Sequence, residues 1–403
     1  MASIIALVFL LALACVLNLQ SVGAENVTLS LLQDAATTSC LDGTPGGYYY
    51  QPSAASHTSK KWVIYLNGGG ECDNEKGCLQ QAETALGSSK YFPQQSEAKG
   101  WFAGSDDCNV NPLFCEWNHV FNPYCSQDLH SGQGGAAWGL KFNGHNIVSA
   151  IFDEMDKQGD MQNADEIIVS GASAGGLGVW MNVDYVAKRY PNAKVTGLSV
   201  AGFYYPAVFY DGPDARTYYN DSTMADFRLQ GLPGMYALYN AYVDTDCADA
   251  YNGNESTTAA APAPCMMANF SQPYVSSPVF VVQSLSDEVV LQYHDLMPDV
   301  PAQPRMLPQE KSFMLQWSQN MTSALTAPSR NIAGVFAAAC WVHTGFNYQA
   351  PLIDDLTWRQ AFNAYYKDPS AEHVHIDLCG VCCVWCVCVC KRKSEREDTF
   401  CFS

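Results

Sequence analysis

The chain has 403 residues, 48% of them hydrophobic and 15% charged, enough to bury one large α/β core with insertions or two smaller cores. Forty acidic residues against 21 basic ones leave a formal net charge of -19. That field repels the phosphates of a nucleic acid, which we exclude as a partner, and it admits a polyanionic substrate only where basic side chains line the site.

Residues 1–24 carry an apolar run from Ile4 to Leu19 and then Val22-Gly23-Ala24, a small-residue pattern suited to signal peptidase. A cleaved secretory signal is expected, although the run has no Lys or Arg before it, and residues 25–375 are read as the domain that follows. Five Asn-x-Ser/Thr acceptors, at Asn26, Asn220, Asn254, Asn269 and Asn320, suit a glycosylating lumen.

The first strand-like run, 62–66, leads into Asn67-Gly68-Gly69-Gly70. Glycines let backbone N–H groups approach a substrate with no side chain in the way, so Gly69 and Gly70 are expected to serve an oxyanion hole. A phosphate loop is the rival reading, disfavoured because no Gly-Lys-Ser/Thr follows. Residues 87–145 read as a loop-rich insertion holding three cysteines.

A second run, 166–170, ends at Gly171-Ala172-Ser173-Ala174-Gly175, and 174–190 has helical spacing that stops before Pro191. This is the strand–turn–helix context of a nucleophile elbow, a turn so sharp that only small residues fit two positions either side of the serine. The pentad alone arises by chance in glycine- and serine-rich chains; its context makes Ser173 the candidate nucleophile and the Ala174 amide the third oxyanion donor.

Further strand-like runs at 195–200, 278–285 and 335–341 continue the alternation and predict a mostly parallel sheet with helices on both faces, the α/β-hydrolase class. Residues 203–275, rich in Tyr, Phe, Pro and Asn, interrupt it and read as an inserted cap, with the aromatic stretch 203–210 a candidate wall for a deep apolar pocket. In this fold the acid and base follow the serine in the order Asp, His, each at the end of a strand. Asp287 follows 278–285 and His343 follows 335–341. Glu288 and Asp295 are the runners-up for the acid. Among the histidines, His57, His119, His130 and His145 precede the serine, His294 comes too soon after the acid, and His373 and His375 border the tail, which leaves His343.

Nine cysteines lie in the body of the domain: Cys40, Cys72, Cys78, Cys108, Cys115, Cys125, Cys247, Cys265 and Cys340. In an oxidising compartment most should pair, Cys72 with Cys78 and Cys108 with Cys115 being the near-neighbour choices, and the odd number leaves one thiol or a bond to the tail. The body has no Cys-x2-Cys pair with a matching His pair, so no metal and no cofactor is expected. Residues 376–403 form a Cys-rich tail whose apolar part, 376–390, precedes Lys391-Arg392-Lys393. As a helix it would reach only about 22 Å, short of the ~30 Å hydrocarbon core, so a palmitoylated tether is expected rather than a clean span, with a disulfide-bonded tail as the alternative.

The segments Tyr65-Leu66-Asn67-Gly68-Gly69-Gly70 with Cys72, Tyr124-Cys125-Ser126 with Asp128 and Ser131-Gly132, Ser170-Gly171-Ala172-Ser173-Ala174-Gly175-Gly176 with Asn182-Val183-Asp184, Gln283-Ser284-Leu285 with Asp287-Glu288, and Cys340 with His343 resemble the pectin acetylesterase and Notum family of α/β hydrolases. The resemblance implies a Ser173–Asp287–His343 triad. It leaves the substrate divided: Glu71 and Val200 depart from the plant pattern, and 123–132 looks closer to Notum, while the Asn-Gly-Gly-Gly loop and 161–164 look closer to the plant enzymes. The first expectation is a secreted serine carboxylesterase that removes O-acetyl groups from a polysaccharide such as pectin. The alternatives are a deacylase acting on an acylated protein and a catalytically silent binding protein, the last disfavoured because serine, acid, histidine and glycine loop are all retained.

Overall fold

The computed structural model describes residues 26–53, 59–97, 108, 112–216, 225–252, 261–299, 306–327, 332–346 and 352–377. Strands β1 (Asn26–Leu31), β2 (Gly47–Gln51), β3 (Lys61–Leu66), β4 (Gln95–Glu97) and β5 (Asn118–Asn122) come first, followed by the small hairpin β6 (Gly135–Ala137) and β7 (Leu140–Phe142). Then come β8 (Glu166–Ala172), β9 (Lys194–Val200), β10 (Val279–Ser286), β11 (Ile332–Trp341) and β12 (Val374–Ile376). The main sheet has the order β12-β11-β10-β9-β8-β3-β5-β2-β1-β4; it is parallel from β12 to β5 and antiparallel from β5 to β4.

The helices are α1 (Glu75–Ala82), α2 (Gly144–Gly159), α3 (Ala174–Arg189), α4 (Leu232–Tyr239), α5 (Thr245–Asn252), α6 (Pro308–Thr326) and α7 (Trp358–Lys367). Successive side chains of a strand point to opposite faces, and the central strands feed two cores in that way. Ile167 and Val169 of β8 join the larger core with Ile147, Phe152, Trp180 and Trp317, while Ile168 joins Leu198, Phe280, Phe336 and the α7 residues Trp358, Phe362 and Tyr365. Both faces are thus covered, which is why these strands read as continuous apolar runs and why the fold is α/β, mostly parallel, with helices on both sides.

The stretch 87–145, read as an insertion, contributes β5 to the sheet between β3 and β2. Its apolar centre is only Val120-Phe121, too short to register as a strand, and the polar ends are satisfied by the sheet itself, Asn118 Nδ2 donating to the carbonyls of Ser59 and Lys61. Within 203–275, the described residues Phe203, Tyr204, Tyr210, Phe227, Leu232, Met235 and Tyr239 are buried in the larger core.

Among the described residues four disulfides form, Cys40–Cys125, Cys72–Cys78, Cys108–Cys115 and Cys247–Cys265, and Cys340 stands as a buried thiol. Two of them are the near-neighbour pairs; the other two join segments 85 and 18 residues apart, which spacing alone does not reveal. The expected signal, 1–24, lies outside the described residues, as do Asn220, Asn254 and the chain beyond 377; Ile376, where the expected apolar tail begins, ends β12. Among the described residues no helix is long and apolar enough to cross a membrane.

Candidate active site

Ser173 sits between the end of β8 and the start of α3 with φ 58° and ψ -125°, a left-handed backbone that an L-residue adopts only under constraint. The constraint is steric. A Cβ on Gly171 would stand 2.3 Å from the Gly175 carbonyl oxygen, one on Gly175 1.9 Å from that of Leu66, and one on Gly68 2.4 Å from that of Ala172. The amide of Ser173 donates to the Val200 carbonyl at 2.9 Å, so β9 pins the turn from the other side. Register does the rest: Leu66 of β3 lies opposite Gly171 of β8, which brings the Asn67–Gly70 turn beside the serine.

Ser173, His343 and Asp287 are brought together in one row. His343 Nε2 lies 2.7 Å from Ser173 Oγ, and His343 Nδ1 lies 2.9 Å from both carboxylate oxygens of Asp287. Asp287 is fully buried, a costly place for a carboxylate unless it is well supplied with donors. Its Oδ1 accepts from the amides of Val289 and Val290 at 3.0 and 3.1 Å, and its Oδ2 from Gln283 Nε2 at 3.1 Å. With Nδ1–H held by Asp287, Nε2 is the lone-pair nitrogen facing the serine hydroxyl, the tautomer that a general base needs.

Of the three expected oxyanion donors, Gly69 and Gly70 line one cavity with Ser173, while Ala174, the residue after the serine, opens α3, where the first amides have no intrahelical acceptor. Among the described residues the amides of Gly69, Gly70 and Ala174 have no protein acceptor. Gly69 and Gly70 hold φ of 154° and 72°, which a side chain at either position would resist.

The cavity, about 720 Å³, is lined by the glycine turn, Ser173, Val200 and His343 and by Tyr65, Tyr293, Phe346, Trp358 and Arg359. Arg359 is its one basic side chain and no carboxylate lines it among the described residues, a local exception to the acidic surface. Of the aromatic stretch 203–210, Tyr204 reaches the cavity's edge through the bond of its hydroxyl to Ser173, and the other residues are not among those lining it. Phe203 packs edge-on against Trp180 and Tyr204 against Phe227, because burial in the cap core is where those rings lose most contact with water.

The runners-up serve elsewhere. Asp295 accepts from Val208 N at 3.0 Å and Trp317 Nε1 at 2.7 Å, and burial pushes its carboxyl up to about 8. Glu288 accepts from the His343 amide, and its carboxyl is raised chiefly by burial. His294 stacks on Phe227 with centroids 4.1 Å apart and stands 3.8 Å from Glu71 Oε1; burial lowers its imidazole to about 4 and raises Glu71 to about 8. Three acids that could share a cation, Asp184, Asp244 and Asp246, are engaged by the Ser276, Ser277 and Cys247 amides and by Lys188.

Gln283, given no role from the sequence, links Asp287 to the Phe203 amide through its two side-chain termini, and Tyr204, expected only as part of a candidate pocket wall, hydrogen-bonds Ser173 through its hydroxyl. A polar Gln inside the otherwise apolar start of β10 was the available signal.

Comparison with known proteins places these residues in context. The family model described as Pectinacetylesterase matches residues 20–387. The chain is 30% identical over 327 residues to palmitoleoyl-protein carboxylesterase notum1a of Danio rerio, which covers 79% of this chain and 60% of the relative. It is 27% identical over 351 residues to palmitoleoyl-protein carboxylesterase NOTUM of Schmidtea mediterranea, 83% of this chain and 62% of the relative. It is 31% identical over 264 residues to pectin acetylesterase 5 of Arabidopsis thaliana, 64% of this chain and 56% of the relative. The chain therefore spans about three fifths of the length of these relatives.

Proposed function

The chain belongs to the pectinacetylesterase family, and from that premise we propose that it is a secreted serine carboxylesterase removing O-acetyl groups from an extracellular polysaccharide such as pectin. The observation that carries the proposal is the hydrogen-bonded row Ser173–His343–Asp287 opening onto a cavity beside the glycine turn. Ser173 Oγ attacks the acyl carbonyl as His343 Nε2 takes its proton, Asp287 stabilises the imidazolium, and the amides of Gly69, Gly70 and Ala174 receive the negative oxygen. The tetrahedral species collapses with the sugar hydroxyl leaving, protonated by His343. Water then attacks the acetyl-serine with His343 again as base, and acetate departs.

Arg359 supplies the basic lining that an acidic polysaccharide requires of so acidic a protein. Four disulfides suit the oxidising compartment to which a signal at 1–24 would deliver the chain. The relatives named palmitoleoyl-protein carboxylesterase carry a second reading, removal of a long acyl chain from a secreted protein. It is placed second because no residue of 203–210 is among those lining the cavity of about 720 Å³, although the Tyr204 hydroxyl reaches Ser173 beside it. Turnover of nitrophenyl acetate against the octanoate, with wild type and Ser173→Ala, tests both: acetate preferred and the variant inactive is the expected result. Octanoate preferred favours the second reading, and equal turnover by the variant rejects an esterase that uses Ser173.

A further inference from the structure

The loop Tyr124–His130 makes no part of the Ser173 row, yet it is built at a cost. Gln127, Leu129 and His130 hold φ of 55°, 61° and 57°, and all three are buried. Strained backbone of this kind persists where the surroundings over-determine it, commonly at a functional site. The buried carboxylate of Asp128 organises the loop, accepting from Ser126 Oγ at 2.6 Å and the Gly144 amide at 2.7 Å, and the Leu129 amide donates to Tyr124 Oη at 2.7 Å.

Two side chains leave this loop for the glycine turn. Gln127 Nε2 donates to the Gly69 carbonyl at 3.1 Å, and His130 Nε2 donates to the Asn67 carbonyl at 2.8 Å. His130 is held as the Nε2–H tautomer, since Asn122 Nδ2 approaches its Nδ1 at 3.5 Å and burial lowers the imidazole to about 4. Gln127 Oε1 is buried with no partner among the described residues, an uncompensated polar atom that costs stability, so the amide is retained for what its nitrogen does.

A peptide unit is planar and trans, so its carbonyl and the N–H of the next residue point in opposite directions from one plane. The Gly69 carbonyl shares its plane with the Gly70 N–H. A donor that fixes and polarises that carbonyl also fixes the direction of the Gly70 N–H and strengthens it as a donor, as hydrogen bonds in series do. Glycines on both sides of this plane have no side chain to hold it, so an outside group must.

We propose that Gln127 is a positioning residue for the oxyanion hole: through the Gly69 carbonyl it aims and polarises the Gly70 amide toward the developing oxyanion at Ser173. His130 steadies the preceding peptide through Asn67 and ties the loop to α3, whose Asn182 Nδ2 donates to the His130 carbonyl at 3.1 Å. The proposal rests on the esterase reading. It predicts an effect confined to the transition state, because a ground-state ester draws little on the hole.

The test compares wild type, Gln127→Met and Gln127→Leu, which keep a side chain of similar size and remove the donor. Each is assayed on nitrophenyl acetate, for affinity for a trifluoromethyl ketone that forms a tetrahedral adduct with the serine, and for melting temperature. A fall in kcat of about 10- to 100-fold, KM unchanged, and ketone affinity falling in parallel are expected, a fraction of the loss seen when an oxyanion donor is deleted outright. Folded variants with wild-type kcat and ketone affinity overturn the proposal while leaving the esterase intact. No turnover by wild type overturns the esterase reading and this proposal with it. If neither variant folds, the Gly70 amide proton of glycine-labelled wild type decides: it must shift downfield on ketone binding, and an unmoved resonance overturns the proposal.

Discussion

The carbonyl oxygen of Leu66 stands 1.9 Å from where a Cβ on Gly175 would be, so the end of β3 presses directly on the turn that carries Ser173. Two segments more than a hundred residues apart thereby share one contact, and the glycine turn and serine elbow cannot move independently. Gly175→Ala should force them apart, costing about 1–3 kcal/mol and most of the activity. Thermal melting and nitrophenyl acetate turnover check this; a variant with wild-type melting and rate would show that the contact is soft.

The backbone of Ser173 leads to a trade between stability and activity. Glycine accepts φ 58° without a Cβ penalty, so Ser173→Gly should relieve strain of order 1–3 kcal/mol, offset in part by the added freedom of the unfolded chain. The expected outcome is an inactive protein that melts no lower than wild type and higher than Ser173→Val. A lower melting point than Ser173→Val would contradict the strain.

Asp287→Asn should keep the shape of the row and reverse its polarity. Asparagine can present its amide to His343 Nδ1, which then becomes the acceptor and leaves Nε2 protonated toward Ser173. By analogy with the same change in a well-studied serine protease, kcat should drop by about 10³- to 10⁴-fold. Steady-state kinetics with a melting control provide the check, and a loss below tenfold would mean that Asp287 does not set the tautomer.

Buried titratable groups give the stability a pH profile. His130, His145 and His294 are lowered by burial to about 4 from the ordinary imidazole value of 6.5. Between those values the unfolded chain binds more protons, so each histidine makes stability rise with pH up to 6.5. Glu71 and Asp295 are raised by burial to about 8 from 4.5 and 3.8, so the folded chain holds their protons and each makes stability fall with pH up to 8. Three rising contributions against two falling ones place the maximum from these groups near 6.5. In urea unfolding at pH 5, 6.5 and 8, Glu71→Gln should gain stability relative to wild type as pH rises; a difference independent of pH would show that Glu71 is ionised in the fold.

Much of the sheet and its candidate site could be read from the sequence because the relevant signals were local. A parallel strand covered on both faces is a continuous apolar run, and the residue just past its end, whether Ser173, Asp287 or His343, stands at the mouth of the fold. What escaped depends on distant partners. β5 has only two apolar residues between its asparagines, Cys40 finds Cys125 across 85 residues, and Gln127 donates to Gly69 from a loop whose left-handed backbone leaves no periodicity. The cap was visible as a change of composition, but whether its rings lined the cavity or filled the core was decided by packing.

The most direct measurement is mass spectrometry of peptides from enzyme acid-quenched during turnover of an O-acetylated pectin. The account predicts one added acetyl group on the peptide containing Ser173 in wild type, and unmodified peptide with no acetate release in Ser173→Ala. Acetate released by wild type with no acetylated Ser173 in a burst regime, or released equally by the variant, would contradict it.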